Sequence, residues 1–178
     1  MTVSIEIASA TPRQRNDILR LVRAAFSTNG RDGHEEVAIV EQTWAVESDR
    51  VDRPGFESVA IIDDTVVGHV MAAYGQLNEH NDVLAVAPLA VAPSHQGQGV
   101  GRALMTDLLR RTDAAGISVV LLGSPALYSR FGFEPASRYD MTYPVVGAGN
   151  PHFQLRRASG SSAPTEGTFR YCWEEPPP

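Results

Sequence analysis

The sequence predicts a mixed α/β fold built around a single sheet. Three observations predict it. Stretches with the two-residue alternation of strands and the 3.6-residue period of helices follow in the order β, α, α, three β, α, β, α, β, with further β-rich runs at the end. The chain has 178 residues, enough for one domain with a substantial core. Its composition, 43% hydrophobic and 20% charged, is that of an ordinary soluble globular protein.

Val3 to Ala8 alternates and predicts the first strand. Thr11 followed by Pro12 is a helix start, a capping hydroxyl before a proline at the first helical position. Ile18, Leu19, Val22, Ala25 and Phe26 share one face of the helix expected over Pro12–Ser27. After a turn at Asn29–Gly33, a second helix is expected over His34–Glu47, then a polar loop over Ser48–Gly55. Ser58–Ile62 and Thr65–Tyr74, separated by Asp63 and Asp64, form a hairpin. Gly75–Asn81 is expected to be a loop, and Asp82–Val91 a buried strand interrupted at Pro88, which cannot donate to a ladder. Gly99–Ala115 is a third helix with Gly116 as its cap. Ile117–Leu122 is a fully apolar strand, Pro125–Phe131 a short helix capped by Ser124, and Phe133 onward a strand. Phe153–Leu155 and Thr168–Trp173 are β-rich and flank Ala158–Gly167, whose Ser, Gly and Pro content predicts a mobile loop. Pro176–Pro178 is expected to be disordered. The division expected is a core over residues 1–157, with 158–178 packed on the same domain.

Composition removes several function classes. No apolar run approaches the ~20 residues that span a bilayer. The N-terminus lacks a basic region ahead of an apolar one, so it reads as a strand rather than a leader. Cys172 is the only cysteine, which excludes an intrachain disulfide and fits a reducing, cytoplasmic setting. All 15 basic residues are arginine, so there is no lysine for a Schiff base or a Walker phosphate loop. The formal charge of −6 disfavours nucleic acid and suits a cationic partner. The five histidines show no ligand-like spacing, so no metal is expected.

The richest stretch is Pro88–Met105, PLAVAPSHQGQGVGRALM: an apolar strand, a glycine-rich turn and a helix in direct succession. That order gathers unpaired N–H groups at the positive end of a helix dipole, a site for a pyrophosphate. Gly97, Gly99 and Gly101 let the turn approach it without a Cβ in the way, and the amides from Gln98 to Arg102, through Val100, would donate to it. A dinucleotide fingerprint would need a glycine where Arg102 stands.

Gln96–Gly101 spells Q-x-x-G-x-G, and Tyr128–Phe133 spells YSRFGF. In this setting they resemble the acetyl-CoA motif and the following Tyr-containing segment of the GNAT superfamily of N-acetyltransferases, in particular its YhbS-like branch. The resemblance implies one mixed, mostly antiparallel sheet flanked by helices, with a splayed central strand pair holding CoA. It implies that Leu89, Ala90 and Val91 offer backbone groups to the pantetheine arm, with Leu89 or Val91 polarising the thioester. The cofactor set then comprises these three, Gln96 to Arg102, Ser124 and Tyr128. Tyr128 is the implied acid toward the CoA sulfur, because a phenol is protonated at neutral pH.

The base is left open among Glu79, His80, Asp82 and His69. His34, Glu35 and Glu36 begin the helix that the resemblance places beside the acceptor groove. The expected reaction moves an acetyl group from acetyl-CoA to a primary amine on a small molecule or peptide, without a metal. The other reading is an acyl-CoA-binding sensor without turnover; sustained CoA release with amines separates the two. The β-rich tail either completes the fold or mediates a homodimer.

Overall fold

The computed structural model describes residues 4–27, 30–48, 55–78, 80–161 and 165–174. Its strands are β1 (Glu6–Ser9), β2 (Phe56–Ile62), β3 (Thr65–Leu77), β4 (His80–Val91), β5 (Ser118–Leu122), β6 (Glu134–Pro135), β7 (Met141–Thr142), β8 (Phe153–Arg156) and β9 (Gly167–Arg170). Its helices are α1 (Arg15–Phe26), α2 (His34–Ser48), α3 (Val100–Ala115) and α4 (Pro125–Tyr128). The class is mixed α/β with one open, mostly antiparallel sheet, in strand order β1-β2-β3-β4-β5-β8-β6. The chain divides into two compact units, Met1–Ala72 with Ala87–Leu109, and Ala73–Val86 with Arg110–Pro178. Strands β3 and β4 and helix α3 contribute to both.

In the first unit, β2 pairs antiparallel with β1 and β3. The β2–β3 turn is Asp63 and Asp64 at φ 47° and 59°, the left-handed pair that a tight hairpin needs and that aspartate tolerates. A single 3-10 turn, Pro12–Gln14, precedes α1, and the Gln14 side chain reaches back to accept the Thr11 amide at 2.9 Å. The helix expected from Pro12 therefore begins at Arg15. Ile18 and Val22 of α1 and Val40 of α2 are buried with Val59 and Ala90. Gly68 lies under α3: a Cβ there would sit 2.7 Å from Val100 and 2.9 Å from Leu104, so only glycine lets the start of the helix rest on β3.

In the second unit, β5 is parallel to β4 and antiparallel to β8, β8 pairs with β6, and β9 pairs with β3 and β7. Tyr143 anchors an aromatic core, with ring centroids 5.6 Å from Phe153, 6.1 Å from Phe169 and 5.2 Å from Tyr171. Such tilted and edge-on pairs add stability beyond the area they bury.

Several expectations fail here. The loop expected at Gly75–Asn81 is largely strand, because β3 runs on to Leu77 and β4 begins at His80. Gly75 is not a turn glycine: a Cβ on it would lie 2.4 Å from the Phe169 ring, so it is glycine to admit that ring. The strand expected from Phe133 stops at Pro135, which has no N–H with which to extend a ladder. The last strand ends at Arg170, and the Tyr171 amide turns to the Glu174 carboxylate at 2.9 Å. Of the loop expected at Ala158–Gly167, Ala158 is buried with its amide on Ser118 Oγ at 3.2 Å, and Gly167 opens β9. Residues 162–164, and the Pro176–Pro178 segment, lie outside the described residues.

Candidate functional site

The glycine-rich turn belongs to the first unit. A 3-10 turn, Pro93–His95, carries the chain off β4. Two side chains then fasten the turn. Gln96 Nε2 donates to the Val91 carbonyl at 3.1 Å, and Gln98 Nε2 to the Ser94 carbonyl at 2.9 Å. Both glutamines thus hold the turn's shape through their amide groups, a contribution that motif reading does not supply.

Gly97 and Gly99 have φ of 74° and 89°, and a Cβ at either would meet nothing within 4 Å. Their glycine character answers to backbone conformation, and the space above them is open. Gly101 differs. Its φ is ordinary, and a Cβ there would meet Val91 and Leu89 at 3.6 and 4.0 Å, normal contact distances. Ala103 donates to the Gly99 carbonyl at 3.0 Å, but among the described residues no amide from Gly97 to Arg102 donates to a backbone carbonyl in the same way. Six consecutive donors thus stand at the start of a sixteen-residue helix. Val100 is buried and pins the helix start, while Arg102 is exposed.

The strand leading into this turn has the cis peptide Ala87–Pro88. The β4–β5 ladder has three pairs and stops at Ala85↔Val120, although β4 continues to Val91 and β5 to Leu122. Parallel pairing thus ends three residues before Pro88, and β4 itself runs unbroken through the proline where the sequence predicts an interruption. Ala90 is buried, whereas Leu89 and Val91 are half-buried on the α3 side.

Tyr128 belongs to the second unit. Ser124 starts its helix with its carbonyl, which accepts the Leu127 and Tyr128 amides at 2.9 and 3.2 Å; the Ser124 hydroxyl makes no capping bond. The Tyr128 ring meets Phe133 edge-on at 6.0 Å. It also lies directly over Gly123, where a Cβ would be 2.4 Å from Cε2. Gly123 is held in turn: its amide donates to the His152 carbonyl at 2.8 Å, and its carbonyl accepts Gln154 Nε2 at 2.9 Å. Burial pushes the Tyr128 phenol above its ordinary pKa, so it is protonated across the neutral range.

Arg156 braces the same segment. Its Nε donates to the Phe131 carbonyl at 3.0 Å, and its guanidinium grips Asp113 with bonds of 2.7 and 2.8 Å. The hydrogen bond from Arg156 holds the Asp113 carboxyl below its usual value. A depressed carboxylate stabilises the fold above its unfolded pKa of about 3.9, and that contribution fades as pH falls through the lower folded value. Asp113→Asn is therefore expected to lower the melting temperature at pH 7, with the gap to the wild type closing in strong acid. The half-exposed pair limits the loss to about 1 kcal/mol. Melting curves from neutral to strongly acidic pH check this, and a gap that widens on acidification refutes it.

Of the base candidates, Glu79 and the side chains of His80 and Asp82 lie outside the described residues. His69 is fully buried, with Nε2 2.9 Å from Glu57, so it does not face a substrate. Arg31 pairs with Glu35 at 3.1 Å and Glu36 at 2.6 Å, and Asp32 caps the His34 amide at 3.0 Å, so the chain's own arginine already engages the carboxylates that begin α2. Among the described residues no three His, Cys, Asp or Glu side chains are grouped to hold a metal ion.

Sequence reading named the turn and Tyr128. It missed Gly123, Gln154 and Arg156 as supports, because each acts through a partner distant in sequence.

The model of the acetyltransferase (GNAT) family matches residues 16–133. Over 95 residues, 49% of this chain and 56% of the relative, the sequence is 39% identical to the uncharacterized N-acetyltransferase YhbS of Escherichia coli K12. It is 33% identical over 103 residues to a mycothiol acetyltransferase of Streptomyces bingchenggensis, covering 57% of this chain and 30% of that one. The match thus spans little more than half the length of the first of these curated relatives. Among solved structures, E. coli YhbS in complex with CoA superposes with a TM-score of 0.80 at 28% identity, over 96% of this chain and 91% of that one. A GNAT acetyltransferase of Brucella melitensis in complex with acetyl-CoA shares the fold, with a TM-score of 0.73 at 23% identity over 94% and 96% of the two chains.

Proposed function

The chain belongs to the acetyltransferase (GNAT) family, and from that premise we propose that it transfers an acetyl group from acetyl-CoA to a primary amine by direct attack. The observation that carries this reading is the run of amides from Gly97 to Arg102 that no backbone carbonyl among the described residues takes up. A pyrophosphate supplies what those donors lack, and the helix dipole adds to the attraction. The E. coli relative, whose structure is a CoA complex, has a fold that agrees with this one.

In this reading Gly97 to Arg102 bind the pyrophosphate, with Gln96 and Gln98 fixing the turn that presents them. Leu89, Ala90 and Val91 lie along the pantetheine arm, with the Leu89 or Val91 amide polarising the thioester carbonyl; the Val91 carbonyl is already committed to Gln96. Ser124 contributes to the same binding set. The amine nitrogen attacks the carbonyl carbon, the carbon–sulfur bond breaks, and Tyr128 gives its phenolic proton to the departing thiolate. Glu79 or His80 takes the proton the amine loses. The lone Cys172 accords with a reducing, cytoplasmic setting.

Titration calorimetry with acetyl-CoA tests the first step and thiol release with a panel of primary amines tests the second. Saturable binding with amine-dependent CoA release is expected. Absence of binding at high micromolar acetyl-CoA overturns the assignment, and binding without release in any amine overturns turnover.

A further inference from the structure

Three side chains of the first unit form an arrangement that the steps above do not use. Trp44 on α2 donates its indole N–H to Glu57 Oε1 at 3.0 Å, and His69 Nε2 meets the same oxygen at 2.9 Å. The strand register explains the second contact. Val59 is opposite His69 and Glu57 is opposite Met71, so 57, 59, 69 and 71 share one face of the β2–β3 pair. His69 is wholly buried, whereas the Glu57 side chain is 23% exposed.

The histidine is not an ordinary core residue. With Nε2 turned to a carboxylate, that nitrogen carries the proton, and Nδ1 remains an acceptor. Nδ1 is buried and has no partner. A buried orphan of this kind costs about 1–3 kcal/mol, so the position calls for an account. The polar contact that the imidazole does make is to orient Glu57, and the Trp44 indole makes the same one. Two donors on Oε1 leave Oε2 for another partner, and no described residue supplies it.

Glu57 lines a cavity of about 210 Å³ together with Arg15, Trp44, Glu47, Phe56 and Met71. Trp44 already shows what its face accepts, because the Arg15 guanidinium stands 4.8 Å from the ring centroid. Arg15 thus covers that face itself, and with two carboxylates, Glu47 and Glu57, against this one guanidinium the lining keeps an excess of acid beside the apolar Phe56 and Met71, which suits a cation with an apolar body. Trp44 also packs against the buried cluster that contains Val59 and, from the strand assigned to the pantetheine arm, Ala90.

We propose that this cavity binds an organic ammonium ion, with Glu57 as its counter-charge and His69 and Trp44 as the residues that position Glu57. That the ion is the acetyl acceptor, a small primary amine with an apolar or aromatic body, rests on the transferase reading above; the binding site itself does not.

The test is titration calorimetry of the full chain with phenethylammonium and butylammonium, without CoA, and with phenethyl alcohol as the uncharged control. Glu57→Gln keeps the shape and an oxygen for both donors, so the variant is expected to fold with an unchanged melting curve. Saturable binding of the ammonium ions is expected, weakened about ten- to a hundredfold in Glu57→Gln, with the alcohol weakened similarly against wild type. No binding at millimolar ammonium, or equal binding by wild type and Glu57→Gln, overturns the site. In turnover assays Glu57→Gln is expected to raise the KM for phenethylamine and leave acetyl-CoA affinity as it was. A chain that binds the ammonium ions but not acetyl-CoA would remove the transferase reading and leave the cation site standing.

Discussion

Exchanging Gly99 for valine is expected to weaken acetyl-CoA binding about a hundredfold or more while leaving the chain folded. Gly99 has φ 89°, a conformation that a β-branched residue avoids. The variant must therefore turn this peptide unit, and the donors on either side of it swing away from a common focus. Each hydrogen bond to a charged group is worth about 1.5–3 kcal/mol, and losing two accounts for the hundredfold. Stability should suffer less, because a Cβ at this position meets nothing within 4 Å and the residue is exposed. Gly101→Ala provides the contrast. Its backbone tolerates a side chain, so any loss of affinity there comes from the methyl group, which lies against Val91 and Leu89, and not from strain. Calorimetry with acetyl-CoA, alongside melting curves, checks both. A valine variant that binds as wild type does would detach the turn from the cofactor.

The contrast between glycines also explains how far the sequence could be read. Gly97, Gly99 and Gly116 all have positive φ and sit at turns, where local pattern predicts them. Asp63 and Asp64 announce their hairpin in the same way. Gly68, Gly75 and Gly123 are glycines for a different reason: each makes room for a side chain far off in the chain or around a corner, from Val100, Phe169 and Tyr128 respectively. A periodicity argument carries no information about such neighbours, and so Gly75 reads as a loop when it lies inside β3. The same holds for charged and polar residues. Arg156 reads as one arginine among fifteen until its bonds to Asp113 and Phe131 are seen. His69 is legible as a titratable residue on the hairpin, but only the fold reveals that it is wholly buried with Nε2 against Glu57. Local chemistry is visible in a sequence when one short segment builds it; supports assembled from several elements are not.

Tyr128→Phe is expected to lower kcat for amine acetylation about a hundredfold and to leave acetyl-CoA affinity nearly unchanged, since only the proton donor is removed. Gly123→Ala should reproduce most of that loss by another route. Its new Cβ would stand 2.4 Å from Tyr128 Cε2, inside any tolerable contact, and Gly123 is tethered on both sides by His152 and Gln154. The ring, which among the described residues is held by an edge contact and not by a hydrogen bond, is the partner that yields. In the proposed mechanism, displacing it moves the hydroxyl away from the CoA sulfur. If this is how Gly123 acts, the two substitutions are not additive: Gly123→Ala should cost little more in a chain that already lacks the hydroxyl. The pH profile offers a second handle. Burial raises the phenol, so an alkaline fall in kcat from loss of this acid belongs above pH ~10 in the wild type. That limb should be missing in Tyr128→Phe, and should shift downward in Gly123→Ala, where the displaced ring gains water. Equal penalties for Gly123→Ala with and without the hydroxyl would show that the glycine supports the fold alone, and an unaltered kcat in Tyr128→Phe would take the proton from some other donor.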